Sequence, residues 1–127
     1  MILSSNSNIS HIKTYDVQLV TQMCRGNEEQ VLKMVDVFIE QISKSIKEIE
    51  IAYSENDFLK IKSLIHKTKP LLTYFGTSKL EKEFLLAEVL FLKEIISLEL
   101  DLKIINLNLL VKEVISEMKK DFNLTNK

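Results

Sequence analysis

The sequence predicts an all-α protein: an antiparallel up-down four-helix bundle with a short additional N-terminal helix. Three observations carry this. Only two glycines and one proline occur in 127 residues, and a β-rich chain of that length needs more turn residues. Apolar residues recur at three- and four-residue spacing over long stretches, the period of a helix with one buried face. The breaks between those stretches are short, which favours antiparallel neighbours. A chain of this length suits one domain with a real core. Its 46% hydrophobic and 28% charged residues place it among folded globular chains rather than disordered ones.

Residues 1–13 are Ser/Asn-rich without periodicity and read as a flexible arm. A short helix follows from Asp16 to about Arg25, with Val17, Leu19, Val20 and Met23 as its apolar contacts. Gly26 stops it, and Asn27 is placed to cap the next helix, with Glu28 and Glu29 where the helix dipole favours acids. Val31, Val35, Phe38, Ile42, Ile46, Ile49 and Tyr53 then mark a long amphipathic helix over 28–54. After Ser54-Glu55-Asn56-Asp57, the residues Phe58, Ile61, Ile65, Thr68, Leu72 and Phe75 share one face of a helix ending near Gly76. Ser78-Lys79-Leu80-Glu81 matches a capping box and starts a helix to about Ile96. The boundary at 97–101 is the weakest, having neither Gly nor Pro. Asp101 is the expected cap of a last helix through Ile105, Val114, Ile115, Met118 and Phe122, and 123–127 reads as a tail. The apolar run from Phe84 to Leu92 exceeds what one helix face needs; a deeply buried helix is favoured over a dimer seam.

The net charge of −1 exerts no global pull toward nucleic acid or membrane. The lone Cys24 excludes an internal disulfide and fits a reducing compartment. No basic and apolar leader pattern opens the chain, so a cytoplasmic monomer is expected, with a dimer as the alternative. The most apolar stretch is interrupted by Glu88, followed by Lys93 and Glu94, and is too short to span a bilayer. The triplets beginning at Asn8 and Asn123 read as chance glycosylation matches.

One histidine stands out. Between Phe58 and Leu80 lie Lys60, Lys62, Lys67, Lys69 and Lys79 and no carboxylate. Helical neighbours of His66 are Lys62, Ser63, Lys69, Pro70 and Thr73, all off the apolar stripe, so the imidazole is expected on the surface. Imidazole accepts and releases a group near neutral pH, and the lysines suit an anion or an acidic partner. His11 has no such surroundings and reads as an ordinary surface residue. Pro70 removes the N–H that the His66 carbonyl expects. Either a kink or a break follows, and the retained phase of Ile61, Ile65, Thr68, Leu72 and Phe75 favours the kink.

His66, Lys69 three residues on and Gly76 ten residues on resemble the signature of histidine-containing phosphotransfer (HPt) domains, over about residues 15–122 of a domain at 14–122. Thr68 stands where that family uses leucine and Pro70 where it uses glycine. The resemblance implies a phosphoryl carrier without autonomous kinase activity, accepting a phosphoryl group on His66 from a receiver-domain aspartate. It implies Lys69 as charge partner of the phosphoryl oxygens, and Lys62, Lys67, Pro70, Thr73 and Gly76 as a receiver-docking face. Glu88, about as far from the intervening turn as His66, is expected to orient the imidazole through Nδ1. Receiver domains of response regulators and a hybrid histidine kinase are the implied partners. The chain itself needs no cofactor, and Mg2+ belongs to the receiver. A histidine kinase dimerisation hairpin fits less well, because Lys67 stands where an acid is usual and no Gly-rich nucleotide loop exists. A nucleic-acid-binding bundle lacks basic charge and a stacking platform. A non-catalytic helical interaction bundle is the stronger alternative.

Overall fold

The computed structural model describes residues 13–124. Five helices follow in order: α1 Gln18–Met23, α2 Glu28–Ser54, α3 Phe58–Tyr74, α4 Ser78–Phe91 and α5 Leu98–Asp121. Among the described residues there is no strand. Helices α2 to α5 form the antiparallel bundle, with α2 on α3, α3 on α4, α4 on α5 and α5 back on α2. Helices α3 and α5 therefore stand on opposite corners. Residues 1–12 of the expected arm at 1–13, with His11 and the triplet at Asn8, lie outside the described residues, as do 125–127.

Local chemistry explains most boundaries. Asn27 Oδ1 accepts from the Gln30 N–H at 3.0 Å and Asp57 Oδ1 from that of Lys60 at 3.1 Å, each satisfying one of the orphan donors of a first turn. α1 is shorter than expected at both ends. Asp16 spends its carboxylate on the Gln18 N–H before the helix begins, and Arg25 and Gly26 turn to positive φ after it. The reading of Ser78–Glu81 as a capping box is corrected. The cap position is Thr77, whose buried hydroxyl donates to the Leu72 carbonyl at 3.0 Å instead, while Glu81 accepts from Thr73. α4 also ends at Phe91 rather than near Ile96, because the chain turns at Glu94 with φ +54°. Ser97, not Asp101, caps α5: its Oγ accepts from the Leu100 N–H at 3.1 Å. Asp101 accepts from the Tyr53 hydroxyl across the bundle instead, and burial together with that bond pushes the phenol up to about 12.

The core runs the length of the bundle. Val35, Phe38, Ile42 and Ile49 of α2 meet Ile61, Ile65 and Leu72 of α3, Phe84 and Phe91 of α4, and Leu107 and Met118 of α5. Each such side chain contributes about 1.5–3 kcal/mol on burial. Phe38 and Phe75 lie 4.5 Å apart between ring centroids. The deeply buried reading of the Phe84–Leu92 run is overturned in part. Phe84, Ala87 and Phe91 are buried, but Leu85, Leu86, Val89 and Leu92 are exposed.

The described segment before α1 is tied down, Lys13 of the expected arm included. Lys13 pairs with Asp121 at 2.8 Å, Thr14 donates through N–H and hydroxyl to Glu117, and the Tyr15 hydroxyl donates to Asp121 at 2.6 Å. Lys13 foremost, then Tyr15, holds the Asp121 carboxyl below its ordinary range. Leu124 is buried, so the expected tail starts inside the fold.

Helix α3 continues unbroken through Pro70, which excludes the break. Ile65 and Thr68 before the proline and Leu72 and Phe75 after it are all buried, so one packed stripe holds both halves in phase. The Thr68 hydroxyl is satisfied by the Leu64 carbonyl at 2.7 Å, which makes the threonine acceptable where the related pattern has leucine. An interior proline costs a helix about 3 kcal/mol, against about 0.4–1 kcal/mol recovered from a stiffer unfolded chain. Pro70→Ala is therefore expected to raise stability by about 2 kcal/mol in urea unfolding, since Pro70 is exposed and its ring packs in no core. A loss of stability contradicts this view of α3.

Candidate functional site

His66 is exposed at the middle of α3 and makes no hydrogen bond among the described residues. One turn later, Lys69 Nζ lies 3.0 Å from Glu88 Oε1 of α4. One turn earlier, Lys62 Nζ lies 2.6 Å from Glu94 Oε2. Two turns later, Thr73 Oγ1 donates to Glu81 at 2.6 Å. The lysines are thus free of acids in the sequence but not in space. The carboxylates arrive from residues 19 and 32 positions away.

These bonds fix how α3 and α4 run past each other. With Thr73 against Glu81, Lys69 against Glu88 and Lys62 against Glu94, the level of His66 falls near Leu90 and Phe91, two to three residues beyond Glu88. Glu88 therefore binds Lys69 and makes no bond to His66, correcting the orienting role expected for it. Equal distance from the turn gave the right helix, but the Glu88 carboxylate is taken by Lys69. Leu85 and Val89 lie on the outward side of α4 beside this row, each about half exposed. Sequence reasoning placed neither at the site, although the surplus of apolar residues between Phe84 and Leu92 was the signal for them.

Lys67 belongs to the other flank. It lines a groove of about 340 Å³ between α2 and α3 with Lys44, Glu48, Leu64, Pro70 and Leu71. Pro70 thus borders the groove on one side and the His66 row on the other. Gly76 is not part of this face. Ten residues of helix put it about 15 Å from His66, and it has φ +60° at the end of α3. A Cβ there would lie 2.7 Å from Asp16 Cβ and 2.8 Å from Asp16 O, and the Asp16 N–H donates to the Phe75 carbonyl at 2.9 Å. The glycine lets the N-terminal segment cross the turn.

The arrangement offers an accessible imidazole, two lysines within a turn held by salt bridges that water can reach, and an apolar border. Among the described residues no group of His, Cys, Asp or Glu is placed to hold a metal ion. No described helix is long and apolar enough to cross a membrane.

No protein-family model matches the chain, and no curated protein sequence matches it significantly. A solved structure does: the HPt domain of an Hpt sensor hybrid histidine kinase from Shewanella. It superposes with a TM-score of 0.69 at 19% identity, covering 87% of this chain and 95% of that one. The fold is that of an HPt domain.

Proposed function

We propose that this chain is a histidine phosphotransfer protein, taking a phosphoryl group on His66 from a receiver-domain aspartate and passing it to another receiver. The observation that carries the reading is an unpartnered, exposed imidazole at mid-helix, beside Lys69, on the fold of an HPt domain. A neutral ring nitrogen attacks the phosphorus of the aspartyl phosphate. The N–P bond forms as the P–O bond to aspartate breaks, and the bonding pair leaves on the carboxylate. The second ring nitrogen sheds its proton to water, and the reverse sequence delivers the group to the next receiver. Such a transfer asks for alignment and charge stabilisation above all. Lys69 supplies the charge on this side, while the acceptor aspartate and Mg2+ belong to the receiver. Lys62, Pro70 and Thr73 lie along the His66 row and Lys67 on its other flank, with Leu85 and Val89 as the apolar part of the docking face. In this scheme the chain is a carrier without kinase activity of its own, and its place is the cytoplasm with its receivers.

Lys69 must leave Glu88 to reach a phosphoryl group. A water-exposed ion pair contributes about 0.2–1 kcal/mol, so Glu88→Gln is expected to speed transfer about 1.4- to five-fold. Lys69→Ala is expected to slow it about ten-fold or more, as loss of a charge aimed at a transition state does. The test is incubation with a labelled, aspartyl-phosphorylated receiver and measurement of acid-labile label on this chain. A non-catalytic interaction bundle, which the exposed Leu85 and Val89 also suit, binds the receiver without gaining label, and that result overturns the proposal.

A further inference from the structure

Helix α5 carries two apolar stripes. At about 100° per residue, Leu100, Ile104, Leu107, Val111, Val114 and Met118 share one face and are buried. Leu98, Leu102, Ile105 and Leu109 share the opposite face, spaced four, three and four residues apart. They continue at their N-terminal end into Ile95 and Ile96 of the α4–α5 connection. Connections are ordinarily polar, yet these six side chains are 46–73% exposed. At roughly 100 Å² each they present on the order of 600 Å² of apolar surface, the upper end of what the largest patch on a monomer reaches. Neighbouring helices hold the flanks of α5 and leave the stripe open. Glu83 of α4 accepts from Lys103 at 2.9 Å and from Asn106 at 2.8 Å, and Glu50 of α2 accepts from Asn108.

We infer that this stripe is the interface between two copies of the chain, paired antiparallel along α5. A standard interface takes about 800 Å² from each partner, of which about 60% is apolar; the patch meets that requirement. The four-three-four spacing is the seam of paired helices, and a two-fold axis lets one surface complement itself. With the axis between Leu102 and Ile105, Leu98 covers Leu109 of the second copy and Leu102 covers its Ile105. Glu99 then falls beside Asn106 and Asp101 beside Asn108, so no like charges meet. An anionic lipid surface is disfavoured as occupant by Glu94, Glu99 and Asp101 at the same end. Because α3 and α5 occupy opposite corners, the dimer keeps both His66 faces open.

Sedimentation velocity of the full chain is expected to show twice the 14.7 kDa chain mass at submillimolar concentration. Leu102→Lys with Ile105→Lys is expected to restore the monomer with unchanged helical circular dichroism, and Leu85→Lys on the His66 face to leave the dimer intact. In a Cys24→Ser background, Leu98→Cys with Leu109→Cys is expected to give a disulfide between copies, since about 16 Å of helix separates the two positions within one copy. A monomer at that concentration overturns the proposal. So does a dimer that survives the lysine pair, a dimer lost on Leu85→Lys, or the absence of the crosslink.

Discussion

Replacing His66 with glutamine is expected to remove all label that this chain accepts from a phosphorylated receiver, and replacing His11 to remove none. Glutamine keeps a hydrogen-bonding side chain of similar length but offers no nitrogen that can carry a phosphoryl group reversibly. His66 is exposed and bonded to nothing among the described residues, so the variant should fold as the parent does. Loss of label is then chemical and not structural. The salt dependence provides a second handle. Charges on a solvated face are screened within about 8–10 Å at physiological ionic strength, so transfer through the Lys62, Lys67 and Lys69 surface should weaken as salt rises. Label undiminished in His66→Gln removes the assignment of the acceptor.

Gly76→Ala is expected to cost about 2–4 kcal/mol of stability, the largest single-residue effect outside the core. The backbone there has φ +60°, a region that costs a residue bearing Cβ about 1–2 kcal/mol. The added carbon also meets Asp16 backbone and Cβ atoms at 2.7–3.0 Å, an overlap of the kind that costs about 1–3 kcal/mol. Relief requires the N-terminal segment to lift, breaking the bond from the Asp16 N–H to the Phe75 carbonyl. Urea unfolding measures the loss. Phosphotransfer per folded molecule should stay near that of the parent, because Gly76 is remote from His66. A stable but inactive Gly76→Ala would return the glycine to the docking face.

The bundle is legible because its information is periodic and local. The limits of α2, Glu28–Ser54, follow from Asn27 at one end and the break after Ser54 at the other. The end of α4 is not legible, since Leu92, Ile95 and Ile96 continue a helical apolar pattern although they face water. Nothing as plain as Gly or Pro marks the turn at Glu94. Two surfaces are likewise not legible, the α4 border of the His66 face and the open stripe of α5, because burial depends on which neighbours exist. At the site, His66 and Lys69 are visible as a spacing on one helix. The partners of Lys69 and Lys62 are not, because Glu88 and Glu94 reach them across a helix–helix register that no sequence interval states. Gly76 is visible in the sequence as a helix end and as a spacing from His66, but what requires glycine there is the positive φ and the crossing N-terminal segment.

The central claim, that His66 carries a phosphoryl group on a ring nitrogen, is tested most directly by phosphorus NMR of the chain after transfer from a phosphorylated receiver. The expected result is one phosphoramidate resonance that survives alkali, disappears in acid and is absent from His66→Gln. A phosphate ester or acyl phosphate resonance instead, or no protein-bound phosphorus at all, contradicts it.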